Sequence, residues 1–220
     1  MKRYYPMYVC GRTKLGSVVY YENMGEINMG KLHEHGVTVP TLLKHYQYQT
    51  SFVFEKLAPG PDSKLLTVFD ARGISLANLR GDAARFLLAA SKENQDGNAH
   101  RNAGIVIANA PSWFSSAWSV LAKINAFNAD TLKKTQILTE GSQTNLYLQS
   151  VIPLDQLPDK YGGGLVVTGG AGGVWDCKEE VLLREHVYSL EENRREQAGR
   201  EAGIGDCPER RRWAECSATT

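Results

Sequence analysis

Hydrophobic positions in the first 165 residues alternate between two kinds of pattern. Short runs dense in apolar and β-branched residues occur at 17–21 (Ser-Val-Val-Tyr-Tyr), 65–70 (Leu-Leu-Thr-Val-Phe-Asp), 104–109 (Gly-Ile-Val-Ile-Ala-Asn) and 135–138. Each is too short for a helix, and several are closed by Asp, Gly or Pro, as buried strands are. Between them lie longer stretches with apolar residues at helical spacing. Over 39–57 these are Val39, Leu42, Leu43, Tyr46, Val53, Phe54 and Leu57, and over 76–91 they are Leu76, Leu79, Ala83, Leu87 and Ala90. Over 113–127 the stripe is Phe114, Trp118, Leu121, Ile124 and Phe127, with Ser112 as a candidate N-cap. The alternation predicts an α/β fold with a largely parallel sheet.

The pattern changes at Gly162. Seven of the twelve residues from 162 to 173 are glycine, which predicts a linker or loop. Beyond it, 176–220 holds 8 Lys/Arg and 11 Asp/Glu, so a net charge of −3 stands against +4 for the rest. The expected organisation is a folded domain at 1–165, a Gly-rich linker at 166–175, and a charged tail at 176–220 that is partly helical or disordered.

Composition sharpens this only by exclusion. The chain has 220 residues, 42% hydrophobic and 22% charged, with a net charge of +1. That balance gives no electrostatic footprint for nucleic acid. No apolar run is long enough for a membrane span, and the N-terminus lacks the apolar stretch of a signal peptide. The four cysteines, Cys10, Cys177, Cys207 and Cys216, match no metal or redox spacing. A cytoplasmic protein is expected.

Candidate chemistry is sparse. The run 165–174 (Leu-Val-Val-Thr-Gly-Gly-Ala-Gly-Gly-Val) is similar to the glycine turn that opens dinucleotide-binding folds. Trp175 stands where the third fingerprint glycine would fall, and no second strand follows. His33-x-His35 lacks a partner at metal-ligand spacing, and there is no Gly-x-Ser-x-Gly elbow. No catalytic residue, metal or cofactor is expected. The aromatic helix is more informative. Trp113, Phe114 and Trp118 crowd its first two turns, which suits either an ordinary core or a helix over an apolar cavity that meets a membrane. Just beyond, Thr131 and Lys134 stand one helical turn apart, a hydroxyl and an ammonium suited to a phosphate.

Several short motifs, taken in order, resemble the CRAL-TRIO lipid-binding domain, and within it the phosphatidylinositol/phosphatidylcholine transfer branch. They are Tyr5-Pro6 and Tyr8; the run 19–25 (Val-Tyr-Tyr-Glu-Asn-Met-Gly); 67–75 (Thr-Val-Phe-Asp-Ala-Arg-Gly-Ile-Ser); 107–111 (Ile-Ala-Asn-Ala-Pro) with Phe114-Ser115; Lys134 with Ile137-Leu138; and 157–163 (Leu-Pro-Asp-Lys-Tyr-Gly-Gly). The resemblance implies a sheet flooring an apolar pocket and a gate helix closing over it. That helix and its membrane contact would use Trp113, Phe114, Trp118, Leu121, Ile124 and Phe127. It further implies that Thr131, Lys134 and Arg101 bind a phosphoinositol headgroup, and that Thr67, Tyr8 and Tyr20 line a choline side.

The chain departs from the family at Leu65, where a second choline-side hydroxyl would stand, and at His100, where an acid usually precedes the headgroup arginine. The familiar Gly-Arg-Pro reads Leu15-Gly16-Ser17, and the helical domain that usually precedes this one is expected to be absent. The expected function is non-enzymatic: binding one phospholipid, phosphatidylinositol first, and transferring or presenting it between membranes. The expected partners are that lipid, a transient membrane surface with the protein peripherally associated, and a protein reached through the tail, but not nucleic acid. A carrier of a tocopherol- or retinoid-like molecule and a non-transferring lipid sensor are the alternatives.

Overall fold

The computed structural model describes residues 1–97, 99–123, 128–139, 141–169 and 175–201. Five strands form one sheet in sequential order: β1 (Met7–Arg12), β2 (Val18–Asn23), β3 (Leu65–Asp70), β4 (Asn102–Ala110) and β5 (Thr135–Thr139). β1 and β2 form an antiparallel hairpin, and β2, β3, β4 and β5 run parallel. Parallel strands require crossovers, and the chain supplies helices there. These are α1 (Met29–Glu34) and α2 (Val39–Phe52) before β3, α3 (Gly81–Gly97) before β4, and α4 (Phe114–Lys123) and α5 (Ala129–Lys133) before β5. α2 runs on into a wider turn at Val53–Leu57, so the expected stripe over 39–57 is helical throughout but not one regular helix. α6 (Ser142–Val151) follows β5, and α7 (Lys178–Glu201) follows the glycine-rich region.

Strand alternation divides the core between the two faces of the sheet. On one face Val9, Val18, Tyr20 and Leu65 pack with Leu32 of α1, Leu42 of α2 and Phe86 of α3. On β4, Ile105 and Ile107 pack with Phe114 of α4. On the other face Tyr8, Tyr21, Val68 and Val106 pack with Leu148 of α6, Tyr161 and Trp175. Burial on both faces explains why these strands are nearly continuous apolar runs.

β1 and α6 were not marked by periodicity. β1 is buried at five of its six positions, so it has no alternation to detect. α6 is largely polar, buries Thr144 and Leu148, and leaves Leu146 exposed.

The packed unit extends past residue 165. Trp175 stacks on Tyr8 with ring centroids 4.3 Å apart, and Cys177 Sγ lies 3.2 Å from the Val9 carbonyl. Glu180 is buried, accepts from the Val9 amide at 2.8 Å and pairs with Lys2. This cluster covers the open edge of β1, which would otherwise be free to pair with another chain. The chain divides after Val181 into the unit Met1–Val181 and a second, Leu182–Thr220, which is helical as far as Glu201. The turn at 170–174 lies outside the described residues.

Two motif glycines permit close backbone approach. A Cβ at Gly25 would stand 2.0 Å from the Arg72 carbonyl oxygen, and one at Gly163 would stand 1.8 Å from that of Leu157.

Candidate functional site

The sheet face beneath α2, α3 and α4 is not filled. A cavity of about 1110 Å³, counting its open mouth, lies between them. Its floor is the set of residues that strand alternation points to one side: Tyr20 and Glu22 of β2, Leu65, Thr67 and Phe69 of β3, and Ile105 and Ile107 of β4. Its walls come from Tyr46, Gln49 and Val53 on one side, from Phe86, Leu87 and Ala90 of α3 on another, and from Phe114 and Trp118 of α4.

The aromatic helix therefore does cover an apolar space. Phe114 and Trp118, four apart, stack at 6.4 Å between centroids and both face the cavity, while Val120 is exposed. Trp113 packs beside Phe114 at 5.9 Å. Ile124 and Phe127 lie outside the described residues, as does the side chain of Leu121.

Lys134 reaches the start of β4, and Arg101 immediately precedes that strand. Thr131 lines the cavity from α5. The Asn128 side chain caps that helix by accepting from the Thr131 amide at 2.7 Å, which fixes the turn. One turn on, the Lys134 ammonium lies 2.7 Å from Asp130 and donates to the Asn102 carbonyl at 3.4 Å. Arg101 is the residue before Asn102, and its guanidinium stacks over Phe54 at 4.5 Å from the ring centroid. Asn102 itself lines the cavity. Thr131 thus brings a hydroxyl to the apolar space, and Lys134 reaches the backbone of Asn102, which also lines it.

The residues expected on the choline side separate. Tyr20 and Thr67 are register neighbours on adjacent parallel strands and both line the cavity. Tyr8 does not. It is fully buried on the opposite face, stacked between Tyr21 at 5.0 Å and Trp175 at 4.3 Å. The β1 residue that lines the cavity is its neighbour Val9. A shift of one residue along a strand changes the face, which is why a motif match without the strand's phase misplaces a side chain. Leu65 also lines the cavity.

Glu22 and Gln49 are among the polar cavity-lining residues that sequence reasoning missed. Glu22 is 5% exposed on the floor. Tyr20 donates to it at 3.1 Å and Tyr5 also hydrogen-bonds to it, yet burial pushes its carboxyl up to about 7. Gln49 is 2% exposed on α2. The signal for both was a polar residue at a core phase: Glu22 two beyond Tyr20 on a strand, and Gln49 three beyond Tyr46 on a helix. The two histidines flagged as a weak metal signal engage different groups: His33 faces Asp82 at 3.1 Å and His35 faces the Lys31 carbonyl at 2.9 Å.

A mostly parallel sheet, a helix-walled apolar cavity and an aromatic helix across it define an α/β pocket domain. The CRAL/TRIO domain profile matches residues 2–163, and the chain belongs to that family. It is similar to the Sec14 cytosolic factor of Schizosaccharomyces pombe, 28% identical over 178 residues that span 77% of this chain and 60% of the relative. It is also similar to the phosphatidylinositol/phosphatidylcholine transfer protein SFH4 of Arabidopsis thaliana, 27% identical over 172 residues that span 73% of this chain and 27% of that one. The chain thus spans less than two thirds of either relative. Among solved structures, the crystal structure of Sfh5 superposes with a TM-score of 0.54 at 19% identity, covering 71% of this chain and 54% of that one, which supports the fold. Among the described residues no helix is long and apolar enough to cross a membrane.

Proposed function

We propose that the protein is a non-enzymatic carrier that binds one phospholipid, phosphatidylinositol first, in the cavity and exchanges it at membrane surfaces. The observation that carries this reading is an apolar cavity that Thr131 and Asn102 line, with the Lys134 ammonium bonded to the Asn102 carbonyl. The relatives support it, one of them being named for transfer of phosphatidylinositol and phosphatidylcholine.

The physics fits a carrier rather than a sink. Each buried CH₂ is worth about 0.8 kcal/mol against water. A bilayer already provides that burial, so moving acyl chains from bilayer to cavity is nearly neutral. The cavity removes the aqueous barrier, and displacement of α4 with Phe114 and Trp118 would open the path. Selectivity then falls to the headgroup, because a desolvated phosphate requires a cation. Thr131 and Lys134 take the inositol phosphate, with Arg101 beside them. Thr67 and Tyr20 are left as the choline-side polar groups, and Leu65 on the same strand face removes a hydroxyl, so phosphatidylcholine is the weaker ligand.

The test is transfer of labelled phosphatidylinositol between vesicles. Lys134→Ala removes a charge-assisted hydrogen bond and should slow transfer roughly ten- to a hundredfold. Unchanged transfer would remove Lys134 from the headgroup site.

A further inference from the structure

The amide of Gln49 is the unexplained polar group of the cavity. The side chain is 2% exposed, it lines the cavity, and neither Nε2 nor Oε1 has a hydrogen-bond partner among the described residues. A buried amide in that state costs free energy, and native proteins seldom leave both of its ends open. Its neighbours are already committed. Thr50 Oγ1 bonds back to the Tyr46 and Gln47 carbonyls, each at 2.9 Å. Glu22 is held by the Tyr20 and Tyr5 hydroxyls. Gln49 is therefore aimed into the cavity with one donor end and one acceptor end unspent.

We propose that the Gln49 amide is a hydroxyl-recognising subsite of the cavity, engaging cargo hydroxyls as donor through Nε2 and as acceptor through Oε1. This rests on the reading of the cavity as a lipid site. The chemistry follows from the inventory of each group. Ester and phosphodiester oxygens only accept, so a choline phospholipid would satisfy Nε2 and leave Oε1 orphaned. A hydroxyl both donates and accepts and satisfies the amide at both ends. Such a hydroxyl can come from an inositol headgroup or from the glycerol of a lipid alcohol. A site built to hydrogen-bond a hydroxyl also rejects analogues that lack it, because its own polar atoms are then left unpaired.

The experiment measures loading from vesicles of three labelled lipids with the same acyl chains: phosphatidylinositol, diacylglycerol and phosphatidylcholine. The unsubstituted protein is compared with Gln49→Met, which keeps the length and removes both polar ends. The ratio of hydroxyl-lipid to phosphatidylcholine loading should fall about tenfold, since the hydroxyl lipid loses one more hydrogen bond than phosphatidylcholine, which is also relieved of an orphaned acceptor. A fall for phosphatidylinositol alone assigns the subsite to the headgroup, and a fall for diacylglycerol as well assigns it to a lipid alcohol. Thermal stability of the empty variant should be equal or higher, since an unpaired amide is removed; Gln49→Leu is measured alongside in case the methionine variant does not fold. A shift equal for all three lipids overturns the subsite alone. Failure of the unsubstituted protein to load any of them overturns the carrier reading and the subsite with it.

Discussion

Replacing Glu22 with glutamine should change how stability depends on pH, in a direction that the cavity fixes. The Glu22 carboxyl is 5% exposed, and burial raises its pKa from the ordinary 4.5 to about 7 despite hydrogen bonds from Tyr5 and Tyr20 that favour the charged form. Between those two values the folded chain holds a proton that the unfolded chain has released. Stability therefore falls as pH rises through this window, and the full penalty is present above pH 7. At about 1.4 kcal/mol for each tenfold change, the penalty is about 3 kcal/mol.

His45 acts in the opposite sense over nearly the same range. Its imidazole is lowered to about 4, chiefly by burial, so it favours the folded state increasingly as pH rises from 4 to 6.5. His45 is common to both proteins, so the difference between Glu22→Gln and the unsubstituted chain isolates Glu22. Urea unfolding followed by tryptophan fluorescence at intervals from pH 4.5 to 8 measures it. The variant should gain about 3 kcal/mol on the unsubstituted chain across that interval. A difference that stays constant with pH would refute the desolvation argument.

Other substitutions test separate parts of the account. Gly25→Ala and Gly163→Ala each press a Cβ into a backbone carbonyl and should cost more than about 3 kcal/mol in thermal or urea unfolding, or prevent folding; a loss near that of an exposed helix site would contradict the close approach. Tyr161→Phe removes the donor to Asp70 at 2.9 Å and should cost roughly 1–3 kcal/mol, read by urea unfolding, with vesicle transfer otherwise retained. Thr67→Ala should lower phosphatidylcholine loading more than phosphatidylinositol loading, and equal effects would argue against a separate choline side.

The strands at the centre of the sheet were legible because their chemistry is one-sided in a simple way. The run 65–70 was predicted at its observed bounds, Leu65–Asp70, since a buried parallel strand needs nothing but apolar residues and a polar stop. β1 was passed over because its apolar run, Met7–Cys10, is only four residues long before Gly11 and Arg12 interrupt it. α6 was invisible because it buries a threonine and a leucine rather than a stripe.

Of the residues expected at the headgroup from motif order, Thr131 lines the cavity, and Lys134 bonds to the carbonyl of Asn102, which also lines it. Tyr8 shows the limit of such matching. Its residue type fits a ligand site, but the phase of β1 turns it to the far face. Glu22 and Gln49 are polar residues at core phases, which apolar stripes alone do not pick out. At a core phase they mark the places where a cavity interrupts the core.

The most direct test of the central claim is native mass spectrometry after incubation with vesicles of equal phosphatidylinositol and phosphatidylcholine content. The account predicts a complex of one lipid per chain, with phosphatidylinositol in excess and depleted by Lys134→Ala. A spectrum showing only lipid-free protein would contradict it.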